Sequence, residues 1–232
     1  MKKSDLLSKR LFALAEKIPP GCTVCDVGSD HGYLPAYLLN SGVSPEVWVT
    51  DINPLPLERA KTLFFRENIA SRARFFLCDG VPEEKNLPDV FVIAGMGGET
   101  IEKILQAALL RLAPGTRFFL QPMTKEEILR RFLRRSGFAV EEEKIVSENG
   151  KIFVLLFTVF DGIRREADAV SDFLGEEKFD RDPDRFLYYQ KLKKRLQTRI
   201  LGLEKAGLNA DSEKKLQVCL EVRMGGMKRE NS

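Results

Sequence analysis

The sequence holds a single histidine, His31, and only four cysteines, Cys22, Cys25, Cys78 and Cys219. One histidine excludes two-histidine mechanisms and histidine-rich zinc centres. Cys22 and Cys25 have C-x-x-C spacing, but no second Cys/His pair completes a zinc site. The pair lies in a strand-like run, Thr23-Val24-Cys25-Asp26-Val27, and not at a helix start where a thiolate is stabilised. Both thiols therefore read as packing groups, and no metal is expected. No apolar run reaches the ~18 residues needed to span a bilayer, so no membrane partner is expected. The opening residues, Met1-Lys2-Lys3-Ser4-Asp5, are polar where a secretory leader needs an apolar stretch, which predicts a cytoplasmic protein. An excess of one charge is also missing: Lys+Arg is 37, Asp+Glu is 34 and the net charge is +3. That rules out a basic coat along the whole chain and leaves a local basic surface possible.

What is there is ordinary globular composition, 44% hydrophobic and 31% charged over 232 residues. Residues 4–18 carry apolar side chains at helical spacing, stopped by Pro19-Pro20-Gly21. Short β-rich runs at 23–27, 47–51, 74–78, 90–94 and 117–121 then alternate with helical stretches at 33–40, 54–69, 99–112 and 125–136. Two further β-rich runs, 138–146 and 152–160, flank Asn149-Gly150, a strong hairpin signal. Five strands alternating with helices predict a doubly wound α/β sheet, and the closing hairpin specifies the class I (Rossmann-like) methyltransferase arrangement. Beyond 160 the composition changes. Residues 161–184 hold nine acids and four bases, and residues 185–205 hold seven bases and one acid. Apolar spacing over 185–205 and 214–224 predicts a C-terminal helical hairpin, coiled-coil-like in kind. The expected division is 1–160 and 161–232.

Glycine and carboxylate cluster where such a sheet binds its ligand, outside the carboxyl ends of the strands. The first cluster is Asp26-Val27-Gly28-Ser29-Asp30-His31-Gly32-Tyr33. Gly28 allows a sharp turn and Gly32 a close helix start. Asp30 stands where a dinucleotide loop has its middle glycine. A carboxylate there opposes a pyrophosphate but suits a cationic ligand such as S-adenosylmethionine. Asp51-Ile52 ends the second strand 23 residues after Gly28, the spacing of an acid that bonds ribose hydroxyls. Asp79-Gly80 follows the third strand, where Asp79 can accept from an adenine amino group. Gly95-Met96-Gly97-Gly98 follows the fourth strand, and a loop so bare lets backbone groups reach a ligand. It has no P-loop lysine, which argues against a nucleotide triphosphatase. Gln121 ends the fifth strand and offers both donor and acceptor to a base edge.

These motifs together resemble the TrmK family, the bacterial tRNA (adenine-22-N1)-methyltransferases. The resemblance rests on Asp-Val-Gly-Ser-Asp-His-Gly-Tyr-Leu-Pro at 26–35, Ile-Ala-Gly-Met-Gly-Gly at 93–98 and Leu-Gln-Pro at 120–122. Leu-Ser-Lys-Arg-Leu at 7–11 and Asp-Gly at 79–80 also fit. Met123 stands where the family has Asn, and Gly32 where it often has Ala. The resemblance implies methyl transfer from S-adenosyl-L-methionine to N1 of an adenine in the tRNA D-arm region. Asp30 and the backbone at 95–97 are then expected to hold the base, with Tyr33 and Gln121 as further substrate contacts. Two basic helical clusters carry the expected tRNA contacts: Arg130, Arg131, Arg134 and Arg135, with Arg131 and Arg134 as the contacts, and Lys191, Lys193, Lys194, Arg195 and Arg199, with Lys191, Lys194, Arg195 and Arg199 as the contacts. The acidic stretch 161–184 is expected to pair with the neighbouring basic helix, and the enzyme to act as a monomer. Other readings stay open: a methyltransferase acting on another RNA, DNA or a small amine, and a non-catalytic protein that binds cofactor or RNA.

Overall fold

A computed structural model describes residues 7–166 and 168–230. The polar opening at 1–6, with the start of the helix expected over 4–18, lies outside them. Within the described residues that helix is α1 (Lys9–Ala15). The sheet strands are β1 (Val24–Val27), β2 (Val47–Asp51), β3 (Ala73–Leu77), β4 (Val90–Met96), β5 (Arg117–Pro122), β6 (Phe138–Glu148) and β7 (Lys151–Phe160). The helices between them are α2 (Tyr33–Asn40), α3 (Pro54–Arg66), α4 (Gly98–Ala108) and α5 (Glu126–Arg135). After the sheet come α6 (Ala169–Leu174), α7 (Arg185–Lys205) and α8 (Asp211–Glu230).

The strands form one seven-stranded sheet in the order β3-β2-β1-β4-β5-β7-β6. The first five are parallel, and β7 runs antiparallel to both β5 and β6. All residues of β1 and β2 are buried, as helices on both faces of a parallel sheet require. The chain runs outward from β1 to β3, then returns to place β4 beside β1. That return makes the β1/β4 junction the switch point of the topology. Asn149 and Gly150 both take positive φ, 50° and 71°, as the two-residue turn between β6 and β7 demands.

Two apolar layers flank the sheet. One packs α1, α2 and α3 against β1, β2 and β4 through residues such as Leu14, Leu38 and Phe64. The other joins Phe91, Phe118 and Leu133 to Phe173, Tyr188, Leu192, Leu196 and Leu220. This second layer is continuous across residue 160, so α6, α7 and α8 bury their apolar stripes against the sheet domain and not only against one another. Among the described residues no helix is long and apolar enough to cross a membrane.

Candidate active site

A cavity of about 370 Å³ opens at the β1/β4 switch point. Its walls come from Asp26 and Gly28–Leu34 on one side, Ala94–Met96 on the other, and Arg10 and Leu11 from α1. After β1 the backbone leans onto β2: the Gly28 and Ser29 N–H groups both donate to the Thr50 carbonyl, at 2.8 and 3.1 Å. Gly28 has φ +73°, and a Cβ there would stand 2.0 Å from the Met96 Cε methyl. Gly32 has φ +71° and caps α2, and its missing Cβ would meet the Ala60 Cβ at 2.9 Å. Turn conformation and close packing therefore both require glycine at these two positions.

The carboxylates of this loop differ in environment. Asp26 is buried, and desolvation pushes its pKa up to about 6 against a hydrogen bond from Ser29, with the charge of Asp51 adding to the rise. Asp30 is exposed at the cavity lip, 3.2 Å from His31 Nε2 and 3.5 Å from Arg59 Nη1. His31 therefore pairs with Asp30, and its ring lies 5.3 Å from the Tyr33 ring. Tyr33 is half exposed beside it, so an aromatic pair borders the opening.

On the β4 side the pairing with β5 is irregular between Ala94 and Met96. Gly95, at φ +82°, turns its N–H to the Gln121 Oε1 at 3.2 Å. Gln121 is buried under the cavity and does not line it. Its Oε1 also accepts from Arg10 Nη1 at 2.6 Å, and its Nε2 donates to the Pro122 carbonyl at 2.9 Å. The three glycines of this loop do different work. Gly95 faces the cavity and Gly97 caps α4. Gly98 packs: a Cβ there would stand 2.4 Å from the Lys125 carbonyl oxygen.

Asp51, Ile52, Asp79 and Gly80 lie outside the cavity walls, at the adjoining ends of β2 and β3. Asp51 accepts from the Asn53 N–H through Oδ1 at 2.8 Å, and Thr50 Oγ1 donates to the Gly80 carbonyl at 3.1 Å. Ile52 and Asp79 are exposed beside them.

The two basic clusters are largely engaged within the chain. Arg130 is buried and donates to both oxygens of Glu143, at 2.9 and 2.8 Å, so it is no surface cation. Arg131 and Arg134 lie 3.5 and 3.3 Å from Asp172. Arg195 pairs with Glu127, and Arg199 with Glu213 at 2.8 Å. The acidic stretch thus pairs with α5, while α7 pairs with α5 and α8. Lys194 has no carboxylate within ion-pair distance among the described residues. With Lys191, Lys151, Met123 and Phe153 it lines a groove of about 520 Å³ between α7 and the β6–β7 turn. Arg10 was not among the expected site residues. It lies in the 7–11 motif, but nothing local signals that α1 leans over the switch point.

Residues 7–156 match a family described as a methyltransferase domain. The chain is 34% identical, over 74% of its length and 76% of the relative's, to the tRNA (adenine(22)-N(1))-methyltransferase of Bacillus subtilis. The crystal structure of the B. subtilis m1A22 tRNA methyltransferase TrmK superposes with TM-score 0.77 at 27% identity, covering 96% of this chain and 97% of that one. A Streptococcus pneumoniae structure in complex with S-adenosyl-L-methionine superposes with TM-score 0.82 at 27% identity, covering 94% and 99%.

Proposed function

The chain belongs to the TrmK family of tRNA (adenine(22)-N(1))-methyltransferases, and on that premise we propose that it methylates N1 of adenine 22 in tRNA with S-adenosyl-L-methionine as donor. The residues present fit that cofactor. The cavity volume falls in the usual range for small-molecule sites. Two carboxylates, Asp26 and Asp30, suit a ligand bearing a sulfonium and an ammonium. The Asp51 and Asp79 carboxylates at the next strand ends suit ribose hydroxyls and an adenine amino group. When bound, the cofactor supplies an electrophilic methyl on a positively charged sulfur.

The chain's own part is mostly orientation. Adenine N1 is unprotonated at neutral pH and carries its own lone pair, so no side chain has to act as base. This agrees with a site whose one histidine is held by Asp30. N1 lies on the Watson–Crick edge, so the base must leave its stack to react. His31 and Tyr33 offer an aromatic border on which an extruded base stacks. The Gly95 turn, fixed through Gln121, brings bare backbone to the base edge. As methyl transfer proceeds, positive charge moves onto the adenine ring, and the Asp30 carboxylate stabilises it there.

The carrying observation is this convergence of Asp30, the His31–Tyr33 pair and Gly95 on one cavity at the β1/β4 junction. Lys191 and Lys194 line a groove beside it, reached from the cavity through the Arg10–Phe153 and Gln121–Met123 contacts, and they suit tRNA phosphates. The same reading takes the enzyme to act as a monomer in the cytoplasm. The test uses labelled S-adenosylmethionine and unmodified tRNA, followed by digestion to nucleosides. Label should appear in 1-methyladenosine, disappear when A22 is replaced by G, and fall roughly a hundred-fold in Asp30→Ala. Undiminished incorporation into the G22 tRNA would overturn the position, and an unaffected Asp30→Ala would overturn the role of Asp30.

A further inference from the structure

We propose that the groove between α7 and the β6–β7 turn takes an unstacked base of the tRNA strand beside the target adenine, a second nucleotide subsite that rests on the reading of the chain as a tRNA methyltransferase. The groove is about 520 Å³, inside the usual range for small-molecule sites. Met123, Phe153 and Leu187 give it an apolar wall, and Lys151, Lys191, Lys194 and the amide of Gln190 stand around that wall. No carboxylate lines it among the described residues, whereas the cavity at the switch point carries Asp26 and Asp30. Three cations around an apolar wall are the complement of a nucleotide, which hangs a flat π-face on an anionic backbone.

The groove adjoins the cavity. The Met123 N–H donates to the Met96 carbonyl at 2.7 Å, with Met96 in the cavity wall and Met123 in the groove wall. The guanidinium carbon of Arg10, a cavity residue, lies 5.4 Å from the centre of the Phe153 ring, which belongs to the groove. A strand with its target base in the cavity therefore has neighbouring nucleotides within reach of the groove. The groups that would meet them are available. Met123 and Leu187 are 40% and 42% exposed. Among the described residues the Lys151 and Lys194 ammoniums have no carboxylate within ion-pair distance, and the Gln190 side-chain amide has no hydrogen bond. Lys191 donates to the Ile152 carbonyl at 3.5 Å, with Glu126 3.8 Å away. Lysines alone would serve any phosphate. Exposed apolar side chains beside an amide that can both donate and accept add what an unstacked base presents, a face to cover and an edge to bond.

The experiment uses the full chain and a set of tRNAs in which one nucleotide at a time, on either side of the target adenine, lacks its base but keeps its ribose and phosphate. Binding is measured without cofactor at fixed salt, and methylation in parallel. One abasic position should weaken binding roughly ten-fold, the worth of a stacked base, and raise KM with kcat held. Leu187→Ala should weaken binding of the intact tRNA and add no further loss with that abasic tRNA, because both changes remove the same contact. This cycle separates a groove contact from a general effect of the missing base on tRNA folding. Lys151→Ala should instead weaken intact and abasic tRNAs by the same factor, as the loss of a phosphate contact does. If every abasic tRNA binds as the intact one does, if Leu187→Ala leaves tRNA binding unchanged, or if the two losses multiply, the groove holds backbone only and the assignment falls. A wild-type chain that discriminates against the abasic position but transfers no methyl to adenine keeps the subsite and overturns the parent reading; one that binds no tRNA overturns both.

Discussion

Arginine and carboxylate meet at two places in this molecule, and they meet differently. Where α5, β6 and α7 join, Glu143 accepts from Arg130 and Arg185, and Arg130 also donates to the Asp172 carbonyl at 3.1 Å and the Tyr188 hydroxyl at 3.2 Å. Burial opposes the Glu143 charge, but the two guanidiniums hold its pKa below the usual carboxylate range. At the β1/β4 cavity, Arg10, Asp26 and Asp30 line the same space, but Arg10 is paired with neither acid. There burial acts on Asp26 with no cation among the described residues paired to it, and its pKa rises to about 6. A charge removed from water must find its counter-charge inside the chain or wait for one from a ligand. The junction follows the first course and holds the C-terminal helices to the sheet; the cavity follows the second.

The junction offers the sharpest break. Glu143→Ala leaves Arg130 and Arg185 buried without a counter-charge and should cost about 3–5 kcal/mol in denaturant unfolding. Cofactor affinity, measured well below the unfolding midpoint, should hold; a loss of less than about 1 kcal/mol would show that the network carries little.

Asp26 should behave in the opposite sense. Its folded pKa is raised from 3.8 to about 6, so between those values the folded chain keeps a proton that the unfolded chain has released. Stability therefore falls as pH rises through that window, and the deficit, at most about 3 kcal/mol, is complete above it. Asp26→Asn should raise stability at pH 7, flatten the pH dependence over the window and weaken cofactor binding. A variant that is less stable at pH 7 would remove the contrast between the two regions.

The smallest effects compare paired with unpaired cations on α7. Lys194→Ala should weaken tRNA binding a few-fold and reduce the slope of log affinity against log salt by about 1. Arg195→Ala, which loses its pair with Glu127, should leave that slope alone and cost about 0–1 kcal/mol of stability. Equal salt slopes for the two variants would mean that pairing does not sort the cations of α7.

Much of the sheet domain was legible in the residues. The helix at 33–40, the strand at 47–51 and the Asn149-Gly150 hairpin were all expected, because periodicity, turn chemistry and β-branched runs are local properties. The glycine–acid loop after β1 was legible for the same reason: a positive-φ turn needs glycine whatever surrounds it. Other features were not. Three glycines at 95, 97 and 98 look alike in sequence, yet only the Lys125 carbonyl, far along the chain, makes Gly98 a packing residue. Arg130 reads as one of a basic run and is buried, because which face of α5 meets Glu143 depends on β6. The acids of 161–184 looked matched to the adjacent basic helix, but Asp172 reaches Arg131 and Arg134 instead.

The sequence by itself determined the order of elements, the family and the loop that must bend at Gly28 and Gly32, since these depend on neighbours a few residues apart. The tertiary structure alone decided which charges are spent inside the chain and which stay available: that Glu143 closes on Arg130 and Arg185, that α1 carries Arg10 over the switch point, and that among the described residues Lys194 lacks the acid its neighbours have. The physical reason is that a charge's role is set by what lies within a few ångströms of it, and for these groups nearly all of those partners come from distant parts of the chain.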